Sequence, residues 1–442
     1  MTPVISKLHG AFQRRKGGLL FQSALAFTIR ILGAASGFLL NLIIARTLPP
    51  QQAGYYFLAF TVIQVLATTG LLGLQTSLLR FIASNKAEQN WKEASAAHKT
   101  GTLWTFLFAG SLGVLLYFTS PWLAEHILEK PGATSTLQAM APSVILFALL
   151  TLNAHALQAI GDVIKSVSTL NILVPLLLAA ALLTGLASTA RTTAAFYSLA
   201  CLVTMMISLT WWLRKPGIHW RGIEQFPAVT LWQSCLPLWW VALMGLGVQW
   251  AGQLVSAAYV PPEELAILAV AQRTAMLTSF VLMAVNLVVA PKFAALYKQG
   301  KSEQLERIAL KATKLMVLFA LPIVGFMLIF PEGLMMLFGE QYKSDANLLR
   351  ILAVGQFINV MTGSVGYLLS MSGHERDLRN VVFISGPMAI ILALVLTPLY
   401  GVTGAATATA IALASQNLLA VAMVKRRLGF NTLAVWRKPT EL

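Results

Sequence analysis

The feature that most constrains this chain is a recurrence of apolar runs, about a dozen of them, each of about 20 residues and parted by short polar loops. Twenty helical residues reach across the roughly 30 Å hydrocarbon core of a bilayer. Inside lipid every backbone N–H and C=O must find its partner within the protein, which leaves helices or a closed barrel. The runs are continuous rather than alternating, and that selects helices. The predicted spans are 21–45, 54–79, 102–120, 139–160, 167–187 and 193–213, then 233–257, 265–290, 313–330, 347–371, 381–397 and 403–424. Only 11% of the 442 residues are charged and 57% are hydrophobic, too little charge to cover a soluble surface. No stretch between runs exceeds about two dozen residues, so a folded extramembrane domain does not fit. The expected fold is an all-α membrane bundle of about twelve helices.

The net charge of +16 would suit a nucleic-acid binder, but its distribution points elsewhere. With the N-terminus on one side, 24 of the 32 Lys and Arg fall on that side and three, Lys130, Arg191 and Lys343, on the other. This is a strong positive-inside signal and supports an even number of spans. It predicts a multi-pass plasma (inner) membrane protein with both termini cytoplasmic. Anionic lipid is then the nearest partner of the basic side, with no role for nucleic acid. Residues 1–20 carry Lys7, Arg14, Arg15 and Lys16 with no small-residue cleavage site after the first run, which reads as a retained helix rather than a removed signal. Cys201 and Cys235 are too few for a disulfide framework or a metal site and read as packing residues; no cofactor is expected.

A shift of 212 residues superposes two halves without a gap. Pro49-Pro50 falls on Pro261-Pro262, Gly161 on Gly373, Pro175 on Pro387, Arg214-Lys215 on Arg426-Arg427, and Gly217 on Gly429. Each half holds an even number of spans, so the halves share orientation and are related by a pseudo-twofold axis along the membrane normal. The predicted organisation is a basic segment 1–20, an N-lobe 21–215, a linker 216–231, a C-lobe 232–427 and a tail 428–442. Duplication of a stable six-helix unit explains the register in one way. Two lobes rocking about a central cavity explain it in another, and such repeats are commonly used so.

The carboxylates all fall in loops, helix ends or tails, and none sits in the middle of a span. Proton- or sodium-coupled transport usually needs an intramembrane acid, so this pattern weighs against a cation antiporter. Two arginines do lie deep. Arg30 is about ten residues into the first span, roughly 15 Å from its inner end. Arg273 lies about nine residues into the eighth. Neither snorkels easily from there, so each should face a wet cavity or a polar partner. Guanidinium groups without carboxylates suit phosphate or carboxylate ligands, and Arg30 and Arg273 are the candidate anion contacts. The alternative is a bond to helix carbonyls or to amides such as Asn41, Gln64 or Gln249. His155, Gln272, Gln356 and Asn359 are secondary candidates for lining a cavity, and hydrogen bonding between helices is the other role open to them. Arg46 and Arg350, at outer helix ends, suggest either an electropositive vestibule or headgroup binding. Trp122, Trp211, Trp212 and Trp232 read as interface residues. No nucleophile–base motif, phosphate loop or metal spacing is present, so no enzymatic activity is expected.

Several stretches, taken in order, resemble one family. They are Asn41–Leu48 with Gly54-Tyr55-Tyr56, Gly70–Ala83, Ala290-Pro291-Lys292-Phe293, and Leu348–Ala353. Met371-Ser372-Gly373-His374-Glu375-Arg376 and Tyr400–Ala406 complete the set. Together they resemble the polysaccharide-biosynthesis flippases, the lipid-linked oligosaccharide (O-antigen flippase type) branch of the multidrug/oligosaccharidyl-lipid/polysaccharide (MOP) exporter superfamily. The likeness runs from about residue 20 to 428. It departs at Pro49, where the family commonly has Gly, and at Gln249–Gln253, where it often has Asp; the missing acid puts any ion coupling by analogy in doubt. The resemblance implies a two-lobe exporter working by alternating access. Its cargo would be a polyprenyl-pyrophosphate-linked oligosaccharide for lipopolysaccharide or exopolysaccharide, with the polysaccharide polymerase and glycosyltransferases as partners. Two other readings stay open: a multidrug exporter on the same fold, and a non-transporting scaffold of a polysaccharide-assembly complex.

Overall fold

The computed structural model describes residues 28–218 and 226–434. The basic N-terminal segment, the start of the first span, part of the linker and the end of the tail lie outside the described residues. The chain is helical throughout what is described, and no strand occurs among the described residues. We label the helices α1 Thr28–Thr47, α2 Pro50–Gly70, α3 Leu74–Ala87, α4 Trp91–Trp122, α5 Pro131–Ala159 and α6 Val163–Leu183. They continue as α7 Ala190–Leu213, α8 Ala228–Tyr259, α9 Pro262–Lys298, α10 Ser302–Ile329, α11 Asn347–Met371 and α12 Glu375–Leu428. Every predicted span has its counterpart. The second is split into α2 and α3 by Leu72 and Gly73, both at positive φ. The last two are the arms of α12.

That final helix shows how one residue sets topology. A straight helix of 54 residues would be roughly 80 Å long. Yet Asp377 and Arg427, near its two ends, form a bidentate ion pair at 2.7 and 3.0 Å. The chain folds back at Gly401, whose φ of 57° and ψ of −139° lie in a region essentially closed to residues with a Cβ.

The 212-residue register is written into the backbone. Pro49 and Pro261 cap α2 and α9 with nearly the same dihedrals, −55°, 149° and −57°, 154°, and each precedes a proline in the first turn. Proline is pre-organised there, and its missing N–H has no partner to lose. Gly161 and Gly373 both have positive φ, 86° and 75°, as do Gly217 and Gly429, 88° and 84°. Lys215 and Arg427 occupy one register position, and both pair with an acid: Lys215 with Asp162 at 2.7 Å, Arg427 with Asp377. The two lobes, α1–α7 and α8–α12, are pseudo-symmetric helical bundles.

Helices overrun the predicted spans where polar residues continue them. α4 starts at Trp91, eleven residues before the apolar run, with the Asn90 side chain accepting from the Glu93 N–H. Hydropathy locates what lipid covers, whereas capping decides where the helix begins. Trp212, expected at the interface, is instead completely buried and stacked on His98 with ring centroids 4.4 Å apart.

Candidate functional site

The lobes meet unequally at the two ends of the bundle. We call the end carrying the lysine-rich loops the basic face. At the opposite face the junction is close. A Cβ on Gly54 of α2 would lie 1.9 Å from the Pro262 carbonyl oxygen of α9, so only glycine permits that approach. The Lys130 Nζ donates across the lobes to the Ala257 carbonyl at 2.7 Å. The Arg46 Nε donates to the Leu337 carbonyl at 2.7 Å, and Phe38 meets Phe338 edge-on at 5.5 Å.

Arg273 belongs to this junction. Its guanidinium lies over the Phe57 ring at 4.3 Å and the Phe60 ring at 5.5 Å, both on α2 of the other lobe. Its Nη1 donates to the Ala269 carbonyl one turn back at 3.1 Å. Phe60 also touches Tyr197 and Trp250, completing an aromatic enclosure. Cation–π attraction to an aromatic face is strongest where water is excluded.

Toward the basic face the lobes part between α1 and α9. A pocket of about 260 Å³ lies there, lined on one side by Arg30, Ile31, Ala34 and Phe38 and on the other by Leu277, Phe280 and Met283. Arg30 is its one charged residue, and it makes no hydrogen bond among the described residues. At this end α8 rather than α9 holds the lobes together. The Trp239 Nε1 donates to the Thr69 carbonyl at 3.0 Å, and Arg80 reaches the Ser234 hydroxyl at 3.1 Å.

Arg30 and Arg273 are thus not neighbours in one cavity: one lines the cleft, and the other is stacked in the seal. Gln272, Gln356 and Asn359 do come together, in a pocket within the C-lobe. His155 is directed back to its own helix, its Nδ1 2.8 Å from the Thr151 carbonyl. Arg46 and Arg350 bond carbonyls on either side of the short helix Pro331–Met336, Leu337 for the first and Leu328 at 3.0 Å for the second. Sequence reasoning missed a buried polar chain in the N-lobe. His98 Nε2 and Asn153 Oδ1 are 3.0 Å apart, and the Asn153 Nδ2 donates to the Ser208 hydroxyl at 3.2 Å. His98 stands in a polar stretch before the predicted third span, and nothing local marks it as buried.

Two helical lobes, close-packed at one face and parted at the other, make a fold also found among solved transporters of the MOP superfamily. The fold is similar to a multidrug resistance MATE family transporter of that superfamily in an inward-facing conformation, at TM-score 0.72 and 16% identity over 95% of this chain and 100% of that one. It is similar also to the lipid II flippase MurJ in an inward closed conformation, at 0.73 and 14% over 91% and 87%. An outward-facing MATE structure matches at 0.65 and 16% over 95% and 96%. Residues 43–347 match the family described as polysaccharide biosynthesis protein, and the chain belongs to that family. No curated protein matches it.

Proposed function

We propose that this protein is a flippase that carries a polyprenyl-pyrophosphate-linked oligosaccharide from the inner to the outer leaflet by alternating access. The observation that carries this reading is Arg30, the one charged residue lining an otherwise apolar cleft between the lobes at the basic face, with no hydrogen bond among the described residues. A cation facing an apolar cleft within the membrane is costly without a counter-charge. An amphiphile with an anionic headgroup and a hydrocarbon tail supplies both the counter-charge and the apolar contact. Family membership in polysaccharide biosynthesis supports the same class of cargo. The positive-inside pattern makes the basic face cytoplasmic, so the cleft faces the side where such carriers are loaded. The seal at the other face blocks a continuous path, as alternating access requires.

Arg30→Gln should abolish export and leave lipid-linked intermediate in the inner leaflet, while Arg30→Lys, which keeps charge without the bidentate fork, should retain part of it. Normal surface polysaccharide in Arg30→Gln cells would overturn the anion-binding role.

The second reading is export of a drug-like cation, favoured by the likeness of fold to multidrug transporters. Against it stands the lining of both interior pockets, where no carboxylate is present to hold a cation. Drug sensitivity on deletion, with polysaccharide unchanged, would favour that reading. A non-transporting scaffold would leave labelled carrier immobile in liposomes containing the purified protein.

A further inference from the structure

Within the C-lobe, helices α8, α9, α11 and α12 surround a second pocket of about 300 Å³, at the lower end of the roughly 300–1,000 Å³ typical of small-molecule sites. Its polar lining is amides and hydroxyls without a charge: Gln249, Gln272, Ser279, Gln356, Asn359 and Gln416 are among its residues. Packing uses part of their hydrogen-bonding capacity. The Gln272 Nε2 donates to the Gln249 backbone carbonyl at 2.7 Å. The Gln356 Oε1 accepts from Ser279 at 2.8 Å and from the Asn359 Nδ2 at 3.3 Å. What remains is more than packing needs. The whole side-chain amides of Gln249 and Gln416, the Nε2 of Gln356, the Oδ1 of Asn359 and the Oε1 of Gln272 make no hydrogen bond among the described residues. None of these atoms is a buried orphan, and each belongs to a residue that lines the pocket.

The chemistry of that surplus is selective. Each free amide offers one donor group and one acceptor, and the pocket holds no counter-charge. A cation would meet N–H groups as well as carbonyls, and an anion carbonyls as well as N–H groups, so neither is well solvated there. Hydroxyl and acetamido groups both donate and accept, which is what such a mixed lining complements. We propose that this pocket is a saccharide subsite, which takes a neutral sugar ring of the cargo while Arg30 takes the charged part. The inference rests on the flippase reading above and deepens it. The two pockets lie at one depth on adjacent faces of α9, for Met276 and Ser279 line the amide pocket while Leu277 and Phe280 line the Arg30 pocket. Successive helical residues point about 100° apart, so charge and sugar would be held side by side on neighbouring faces of α9.

The test uses the full chain in lipid nanodiscs and two probes, a polyprenyl pyrophosphate and the same carrier bearing an N-acetylated disaccharide. Wild type should bind the glycosylated probe at least about tenfold more tightly than the bare one, the scale of one or two well-made hydrogen bonds. Gln416→Leu and Gln356→Leu should erase that difference without changing affinity for the bare probe. The Gln416 amide makes no hydrogen bond among the described residues, so its substitution should leave folding intact, and a monodisperse elution profile checks this. Arg30→Gln should weaken both probes. Equal affinity of wild type for the two probes, or pocket variants that weaken both alike, would overturn the saccharide subsite and leave the flippase reading standing. Failure of either probe to bind at all would overturn both.

Discussion

Arg273 shows what burial between lobes does to a charge. Its guanidinium is held by two rings of the opposite lobe and a carbonyl of its own helix, so its interaction energy depends on the lobes being closed at that face. A cation–π contact contributes about 0.5–2 kcal/mol, which shifts a two-state equilibrium by roughly 2- to 30-fold. Phe57→Leu combined with Phe60→Leu should therefore move the population toward an opening at the sealed face. Spin labels at Glu125 and Glu340, exposed on that face in different lobes, should then report a growing long-distance component. An unchanged distance distribution would remove Arg273 from the seal. The buried chain from His98 through Asn153 to Ser208 makes a second residue-scale prediction. Asn153→Leu removes both hydrogen bonds that link His98 to Ser208, at a cost of about 1–3 kcal/mol. It should lower the melting temperature of the purified protein, with Ser208→Ala costing less. None of this was legible in the sequence. Arg273 was identified by its depth, but its partners Phe57 and Phe60 are over 200 positions away and look like any other apolar residues of a span.

At the scale of the element, reversals and clasps define each lobe. Gly401→Ala places a Cβ at dihedrals that essentially only glycine adopts, at a cost of about 1–3 kcal/mol. It should loosen the α12 hairpin and lower thermal stability. Ion pairs then fasten the basic ends of paired helices, Asp162 with Lys215 and Lys165 in one lobe and Asp377 with Arg427 in the other. Partial burial raises the Asp162 carboxyl, but the bonds and charges of Lys215 and Lys165 outweigh it and hold the group below the usual carboxylate range. A depressed folded value stabilises the protein above the unfolded value, near pH 4, and this contribution fades as pH falls through the folded one. Asp162→Asn should accordingly be slightly less stable than wild type at neutral pH, with the two melting curves converging in acid. The effect is small because the pair is only partly buried and solvent still screens it. These glycines and basic residues were visible as a register in the sequence, since backbone-critical residues and charges cannot drift without cost. The acids were not, because the partner of Lys215 lies at Asp162 and that of Arg427 at Asp377, which differ by one helical turn between the lobes.

For the whole molecule, the asymmetry between faces is the mechanical feature. Gly54 against Pro262 marks the point of closest approach at the seal. Gly54→Leu fills a space that exists only when that face is open, so it should trap the opposite conformation. The same Glu125–Glu340 distance should lengthen, and transport should stop although the protein still folds. Retained transport with an unchanged distance would show that the lobes do not part there.

The sequence by itself determined the twelve spans, their two-lobe register and the excess of positive charge on one side. Those are properties of hydropathy, backbone chemistry and composition, which act locally and repeat. It also singled out Arg30 and Arg273 as the charges deepest in their spans. What only the tertiary structure decided is which of those groups share a space. The spans are apolar on nearly every face, so sequence gives little sign of how each helix is turned about its own axis. Packing between distant segments sets that rotation. It put Arg30 in an open cleft, stacked Arg273 into a seal, and gathered amides from four helices into one uncharged pocket.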